Sequence, residues 1–298
     1  MKAIFLGGDL RQKYACEYLN IYNIPSEFYE DFENRLEVKI KNASIIALPI
    51  PILKDEMNLN TKRKTSIHIG DILELIDRGS IVFGGKFNDY IKNYLSAKNI
   101  KFIDYFENDA FQIQNALLTA EGAIYYVKDK LDRSISSLNV AIFGFGRISK
   151  ILAYLLHSQG AKISIYARKE SDIAWCKLIG LNAVKIEIWG NKTAIKPTND
   201  NYDIIFNTIP YRIMDDNFAK LQNKSTIIID LSSYPFGIDE AIVEKYKLNY
   251  HRELGIPGRY APKSAGEIIG KTILNNMEVN EWQLDMHIPD RFALYQNP

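Results

Sequence analysis

The sequence predicts an α/β protein with two doubly wound domains, each built on a mostly parallel sheet, and a long helix that joins them. Short apolar runs rich in β-branched residues alternate with segments of helical period, which is typical of βα units stacked around a parallel sheet. The chain has 298 residues, enough for two domains that each bury a core. A polar, serine-rich stretch at 132–139 separates two series of these runs and marks the predicted boundary.

The first half of the chain contains four runs that predict strands, at 2–6, 45–48, 81–83 and 101–104. Three of them end at turn-forming residues, which are Gly7-Gly8, Pro49 and Gly84-Gly85. Ligands bind outside the carboxyl ends of the strands in a doubly wound sheet, so we expect these loops to face one cleft. Residues 107–131 contain few helix breakers and predict a long helix that ends the first domain.

The second half predicts a complete second sheet. Its expected strands lie near 140–143, 162–166, 204–206, 226–230 and 248–250. The polar, turn-rich stretch 189–201 is assigned to a loop, and residues 264–274 are assigned to a helix. We therefore expect domains at 1–135 and 136–276, followed by a tail at 277–298 whose packing against the first domain is left open.

The composition excludes several classes of function. Hydrophobic residues make up 47% of the chain and charged residues 24%, and the formal net charge of +1 gives no overall field that attracts nucleic acid or an anionic membrane. No apolar run approaches the ~20 residues that a membrane-spanning helix needs. Cys16 and Cys176 stand alone, and the histidines show no metal-ligand spacing. We predict a cytoplasmic protein without a metal site.

The strongest local signal is a strand, tight turn and helix, with the sequence VAIFGFGRIS at 140–149. Gly144 supplies the turn, and Gly146 lets a pyrophosphate approach the backbone amides at the positive end of the helix, where Arg147 and Ile148 follow. Ser149 replaces the third glycine of the dinucleotide fingerprint. The pattern predicts a Rossmann-like cofactor domain at 136–276, although a tight turn without a ligand is the alternative.

The end of the next predicted strand favours NADP over NAD. NAD-binding proteins carry an acidic residue about 20 positions after the glycine turn, where it accepts hydrogen bonds from the adenosine ribose. This chain has Arg168 and Lys169 there and no carboxylate. Two cations stabilise a dianionic 2′-phosphate, and arginine can bind it through two donors. A solvated basic turn is the alternative interpretation.

Two later strand ends are expected to flank the nicotinamide and its ribose. Asn207, Thr208 and Pro210 follow one predicted strand, and Leu231 follows the next. Loops at the same edge of a doubly wound sheet line the cofactor crevice. As purely structural features, these segments would form Asx or Ser turns.

The chain resembles the family of the dipicolinate synthase A subunit over nearly its whole length. The similarity is carried, in chain order, by GGDLRQ at 7–12, NALLTAEGAI at 115–124, GFGR at 144–147, NTIP at 207–210, IDLSS at 229–233, GIPG at 255–258 and APKSAG at 261–266. The sequence departs from the family at Leu117-Leu118, where members carry Ile-Pro. It departs again at 234–237 (YPFG), where a small residue precedes Pro-Gly-Gly.

The resemblance implies an activity and a partner. It implies an NADP-linked oxidation, with loss of water, of 4-hydroxy-tetrahydrodipicolinate or its dehydrated form, dihydrodipicolinate, to pyridine-2,6-dicarboxylate during sporulation. It implies a second protein, the dipicolinate synthase B subunit, and a location in the mother-cell cytoplasm. A homo-oligomer is left open.

A cyclic dicarboxylate substrate requires cationic or hydroxyl groups for binding and a general base. The candidate binding residues are Arg11, Thr119, Lys263 and Ser264, and the candidate catalytic residues are Asp9, Glu121 and Lys263. Asp9 or Glu121 would take a ring proton if partial burial raised its pKa toward neutrality. The alternatives are an N-cap for Asp9, a surface charge for Arg11 and helix packing for 119–122.

The sequence leaves two alternative functions open. The first is another two-domain NAD(P)-dependent dehydrogenase that acts on a small hydroxy or amino acid, for which no convincing arginine, acid and histidine relay is found. The second is a non-catalytic subunit that binds NADP and serves as a scaffold.

Overall fold

A computed structural model describes residues 1–30, 36–62, 66–189, 192–194 and 201–277. The chain divides into two compact units, one formed by Met1–Asn108 with the residues from Gly266 onward, and the other by Asp109–Ala265. The largest sheet of each unit is parallel, so the predicted fold class is confirmed.

The first unit contains a five-stranded parallel sheet in the order β2-β1-β3-β4-β5. Its strands are β1 (Ala3–Leu6), β2 (Ser26–Tyr29), β3 (Ile45–Ala47), β4 (Ile81–Gly84) and β5 (Lys101–Asp104). Its helices are α1 (Leu10–Ile21), α2 (Leu36–Lys41), α3 (Ile69–Leu75) and α4 (Asp89–Ala97). A core lies between the sheet and helices α2, α3 and α4, and it includes Ile4, Ile46, Val82 and Ile91, all without exposed surface.

The second unit contains a six-stranded parallel sheet in the order β13-β12-β11-β6-β7-β8. Its strands are β6 (Asn139–Phe143), β7 (Lys162–Ala167), β8 (Asn182–Lys185), β11 (Ile204–Asn207), β12 (Ile227–Asp230) and β13 (Asn249–Arg252), and a hairpin pairs β9 (Glu187–Trp189) with β10 (Lys192–Ala194). Its helices are α5 (Asp109–Lys128), α6 (Arg147–Ser158), α7 (Glu170–Leu178), α8 (Asp216–Leu221), α9 (Glu240–Tyr246) and α10 (Ile256–Tyr260). This order is that of a dinucleotide-binding sheet, in which each set of three strands takes one half of the cofactor.

Two strands and a hairpin were absent from the sequence prediction. β2 and β8 are edge strands whose residues are half-buried or exposed, so they lack the apolar run that identifies the central strands. The assignment of 189–201 to a loop is wrong where Trp189 pairs with Lys192 in the β9–β10 hairpin. The rest of that stretch and residues 278–298 lie outside the described part of the chain.

The division into units differs from the expected boundary near 135, because α5 belongs to the second unit. Ala120, Ala123 and Val127 of α5 are buried in the same core as Val140 and Ile142 of β6. The C-terminal half of the helix therefore packs on the second sheet instead of ending the first unit.

The last described helix, α11 (Pro262–Asn276), begins in the second unit and continues into the first from Gly266. A Cβ at Gly266 would lie 2.5 Å from the Cβ of Tyr14, and one at Gly270 would lie 2.6 Å from Tyr18. The two glycines therefore allow close packing of α11 on α1. Within the part of the chain that the structure describes, no helix is long and apolar enough to cross a membrane.

Candidate cofactor site

In the turn between β6 and α6, protein atoms fill the space beside the first glycine, whereas the space beside the second glycine is free. Gly144 has φ +100°, and a Cβ there would lie 2.5 Å from Thr208 Oγ1, so only glycine fits. Gly146 is the N-cap of α6 and receives no side-chain cap, and a Cβ there would meet nothing within 4 Å. The first amides of α6 thus face free space, which fits an anionic phosphate group.

Ser149 explains why the third fingerprint glycine is dispensable. Its side chain is fully buried, and its hydroxyl lies 2.7 Å from the hydroxyl of Thr208. Thr208 donates its own proton to the carbonyl of Phe143 at 2.9 Å, so Ser149 is the donor of the pair. The serine is small enough for α6 to pack on the sheet, and it links the helix to the loop after β11.

Arg147, the first residue of α6, is exposed and forms an ion pair with Asp109, with 2.5 Å between Nη2 and Oδ1. Ile148 is partly buried against the core of this unit. The structure places both residues in the first turn of α6, where the sequence predicted them.

Arg168 and Lys169 follow the carboxyl end of β7, the strand next to β6. Both side chains are exposed, and neither forms an ion pair or side-chain hydrogen bond with another described residue. Their neighbour Glu170, by contrast, pairs with Lys185. The two cations fit a 2′-phosphate, because no described carboxylate competes for them.

The ends of β11 and β12 are more buried than the sequence suggested. Asn207 has no exposed surface, and its amide donates to the carbonyl of Ile209 and to Asp230 and Ser232. Leu231 is 8% exposed, while Thr208 is half-buried and Pro210 is exposed. In this arrangement the Asn207 side chain holds the surrounding loops and presents no surface to a ligand.

Asp230, at the end of β12, was missed by the sequence reasoning. It has no exposed surface and accepts hydrogen bonds from side chains and backbone amides on three segments. One donor is the hydroxyl of Tyr250 at 2.8 Å; burial and the charge of Asp230 together raise the pKa of that hydroxyl. The available signal was a lone carboxylate at the end of a continuous isoleucine run.

In the first unit, Asp9 and Arg11 form a two-point ion pair at the start of α1. Arg11 Nε lies 2.9 Å from Asp9 Oδ1, and Nη2 lies 2.9 Å from Oδ2. Arg11 Nη2 also donates to the carbonyl of Ile50 at 2.7 Å. Asp9 is the N-cap of α1, as the alternative interpretation had it.

Asp9 was expected to act as a base only if partial burial raised its pKa, and the structure does not meet that condition. Burial alone would raise the pKa of Asp9, but the hydrogen bonds and charge of Arg11 outweigh it and lower the pKa below its ordinary value. Asp9 therefore stays ionised and bound to Arg11, which makes it a weaker proton acceptor. Glu121 on α5 is exposed, so the partial burial expected for it is absent as well.

Thr119 is 9% exposed and donates its hydroxyl to the carbonyl of Asn115, one turn earlier in α5. A Cβ at the neighbouring Gly122 would overlap the side chain of Ile256, so this face of α5 packs on α10. The packing interpretation therefore accounts for Thr119 and Gly122. Lys263 and Ser264 lie in the first turn of α11 and are both exposed.

The second unit defines the class of protein. Residues 139–234 match the family model described as NADP oxidoreductase, coenzyme F420-dependent. The structure also has the fold of the apo-structure of D-lactate dehydrogenase from Escherichia coli, with a TM-score of 0.60, 12% identity and coverage of 92% of this chain and 95% of that one. With the open glycine turn, this defines an oxidoreductase-type protein with a domain for a nicotinamide cofactor.

The whole chain is similar to one particular kind of protein in this class. Residues 2–106 match the family model for the N-terminal domain of the dipicolinate synthase A subunit. The dipicolinate synthase A subunit of Bacillus subtilis (strain 168) is 26% identical over 286 residues, which cover 92% of this chain and 94% of that protein.

Two crystal structures agree with this similarity. The dipicolinate synthase A chain from Bacillus subtilis gives a TM-score of 0.77 at 26% identity, covering 92% of this chain and 95% of that one. The corresponding protein from Bacillus halodurans gives 0.79 at 26% identity, covering 92% and 96%. The resemblance predicted from the sequence motifs is confirmed.

Proposed function

We propose that the protein is the NADP-dependent large subunit of a dipicolinate synthase and that it works with the B subunit of that enzyme. The observation that carries this proposal is the similarity to the dipicolinate synthase A subunit over 92% of the chain. The proposed reaction converts 4-hydroxy-tetrahydrodipicolinate, or dihydrodipicolinate, to pyridine-2,6-dicarboxylate in sporulation. From the hydroxylated ring, one water, one hydride and one proton leave; from dihydrodipicolinate, only the hydride and the proton leave. NADP⁺, held by the second unit, would supply the hydride acceptor.

NADP is favoured over NAD by the environment of Arg168 and Lys169. Both are exposed at the end of β7 without a described ionic partner, so their charges are available to a 2′-phosphate. The amides after Gly144 and Gly146, including those of Arg147 and Ile148, would bind the pyrophosphate. Thr208, Pro210 and Leu231 would flank the nicotinamide half, with Asn207 holding their loops in place.

Arg11, Lys263 and Ser264 are the residues proposed to bind the substrate carboxylates. Arg11 uses Nε and Nη2 on Asp9 and Ile50, which leaves Nη1 without a described partner and able to donate to an anion. Lys263 and Ser264 lie in the first turn of α11, where the helix dipole favours negative charge.

Glu121 is the proposed proton acceptor, in preference to Asp9. Its exposed carboxylate has no hydrogen-bond or ionic partner among the described residues, whereas the carboxylate of Asp9 is held by Arg11. A free carboxylate can accept a ring proton once substrate displaces water from it.

The decisive experiment measures the absorbance of NADPH when the purified chain meets NADP⁺ and freshly generated 4-hydroxy-tetrahydrodipicolinate, with and without the B subunit. We expect NADPH and pyridine-2,6-dicarboxylate in equal amounts when both proteins are present, and a weaker signal with NAD⁺. Glu121→Gln should remove most of this turnover without weakening NADP⁺ binding. NADP⁺ binding without turnover under any condition would contradict the proposed substrate and favour another dehydrogenase or a scaffold role.

A further inference from the structure

Asp230 is a buried carboxylate held by neutral hydrogen-bond donors. Among the described residues, these donors are Asn207 Nδ2 (2.9 Å), the amide and hydroxyl of Ser232 (3.0 and 2.6 Å), the amide of Gly237 (2.7 Å) and the hydroxyl of Tyr250 (2.8 Å). A buried charge is costly unless hydrogen bonds replace its hydration. Here both carboxylate oxygens accept such bonds, so the side chain is fixed in one orientation.

These donors come from every strand of one half of the sheet. Asn207 ends β11, Ser232 and Gly237 lie in the loop after β12, and Tyr250 lies in β13. Asp230 itself ends β12, so one carboxylate joins the carboxyl ends of β11 and β12 to the side chain of Tyr250 in the adjacent strand β13. This is the half of a doubly wound sheet that takes the nicotinamide side of a dinucleotide.

Gly237 is the point where the two loops of this half are joined. Its amide donates to Asp230, and its carbonyl accepts from the amides of Ile213 and Met214 at 3.0 and 2.9 Å. A Cβ at Gly237 would overlap Asn207 Nδ2, so no side chain fits. The loop after β12 is thereby fixed to the segment that follows Asn207–Pro210.

We propose that Asp230 is a positioning residue that holds the loops after β11 and β12 in the arrangement that receives the nicotinamide half of the cofactor. The inference rests on the proposed binding of NADP. Asp230 has no exposed surface, so it acts through Asn207, Ser232 and Gly237 and does not touch the ligand itself.

Replacement by asparagine separates this role from simple packing. The new side chain in Asp230→Asn would keep an acceptor for Asn207 and Ser232 but would place an NH₂ group opposite the amide of Gly237, which can only donate. The Gly237 amide therefore loses its acceptor while the side-chain volume stays the same. Asp203→Asn is the matched control. Asp203 precedes β11 and accepts a hydrogen bond from the amide of Asn139, at the amino ends of the strands and away from Gly237.

The first readout is hydrogen exchange at the Gly237 amide in the protein without cofactor. We expect at least about tenfold faster exchange at Gly237 in Asp230→Asn and no change there in Asp203→Asn. Unchanged exchange at Gly237 would overturn the proposal whether or not the protein binds NADP.

The second readout compares NADP⁺ with adenosine 2′,5′-bisphosphate, which contains only the adenosine half. By calorimetric titration, Asp230→Asn should weaken NADP⁺ binding about tenfold and leave adenosine 2′,5′-bisphosphate within about twofold of wild type. An equal loss for both ligands would mean a general structural role and would overturn the inference. If Asp230→Asn does not fold, Tyr250→Phe removes one donor and should show the same selective loss at about threefold; equal losses there would also overturn it.

Failure of the proposed function gives a different result. A wild-type chain that binds neither ligand would contradict the NADP proposal and, with it, this inference. A wild-type chain that binds both, with both weakened equally in the variant, would leave the NADP proposal standing and remove only the role of Asp230.

Discussion

The polar groups at the carboxyl ends of the strands differ between the two halves of the six-stranded sheet: those of one half are exposed, and those of the other half are buried. The half formed by β6–β8 offers an uncapped helix N-terminus at Gly146 and two exposed cations, Arg168 and Lys169, without described partners. The half formed by β11–β13 is self-contained, because Asn207 and Asp230 are fully buried and hydrogen-bonded to each other. Under the proposed function, a phosphate group of the cofactor would complete the first of these halves, whereas hydrogen bonds within the protein already arrange the second.

The largest effect is expected from a substitution in the turn between β6 and α6, on which the half formed by β6–β8 depends. Gly144→Ala forces a side chain into a positive φ and against Thr208 Oγ1, which together cost about 2–4 kcal/mol of unfolding free energy. Chemical denaturation measures this loss. Gly146→Ala is the control, because its Cβ meets no protein atom, and losing the glycine N-cap should cost about 1 kcal/mol or less.

The same control sharpens the comparison when binding is measured. An alanine methyl at Gly146 lies where the phosphate would approach the helix, so NADP⁺ should bind about tenfold more weakly although the fold is kept. Unchanged affinity in Gly146→Ala would place the cofactor elsewhere.

The next effect concerns the charge of the first half. Arg168→Ala removes a charge-assisted contact worth about 1.5–3 kcal/mol, so NADP⁺ affinity should fall about 10- to 100-fold while NAD⁺ affinity changes less than about twofold. Lys162→Ala, at the opposite end of β7, is the matched control and should leave both affinities unchanged. Equal losses for NADP⁺ and NAD⁺ in Arg168→Ala would refute recognition of the 2′-phosphate.

The half formed by β11–β13 is tested by the stability of Tyr250→Phe and by the pH dependence of that stability difference. Loss of the hydroxyl that donates to Asp230 should cost about 1.5 kcal/mol at neutral pH. Burial, the charge of Asp230 and its hydrogen bond raise the pKa of Tyr250 above its ordinary value of 10.0, so the folded state holds this proton more tightly than the unfolded chain. The stabilisation is therefore complete below about pH 10 and is lost as pH rises further.

Denaturation at a series of alkaline pH values checks this prediction. The difference in unfolding free energy between wild type and Tyr250→Phe should shrink above about pH 10. A difference that stays constant with pH would show that the Tyr250 hydroxyl is not bound to a buried carboxylate.

The smallest effect concerns the hydrogen bond that links the two halves of the six-stranded sheet. Ser149→Ala removes the hydrogen bond from α6 to Thr208 and should cost about 1 kcal/mol. Ser158→Ala, at the exposed end of the same helix, should cost less than about 0.5 kcal/mol. If both variants had the same stability, the buried serine would be only a small residue that permits packing.

The glycine turn and two of the three strands in the half formed by β6–β8 were predicted from the sequence because their signals are local, whereas the edge strand β8 lacks an apolar run. The glycine turn, the strand before it and the basic pair after β7 each lie within a few residues. The network around Asp230 escaped because its members, Asn207, Asp230 and Tyr250, are separated by about twenty residues each and meet only when β11, β12 and β13 align.

The candidate substrate residues show the same limit. The sequence placed Asp9 and Arg11 together, but whether the carboxylate titrates or stays in an ion pair depends on the side-chain geometry of the folded unit. Exposure of Glu121 and burial of Thr119 likewise depend on which face of α5 packs on the sheet and on α10. Helical period alone did not fix that face.

The most direct test of the division between the two halves is amide hydrogen exchange across the second unit, first with adenosine 2′,5′-bisphosphate and then with NADP⁺. We predict that the bisphosphate protects residues 144–149 and 168–169, and that only NADP⁺ adds protection at 207–210 and 231–237. Protection of both halves by the bisphosphate, or of neither half by NADP⁺, would contradict the account.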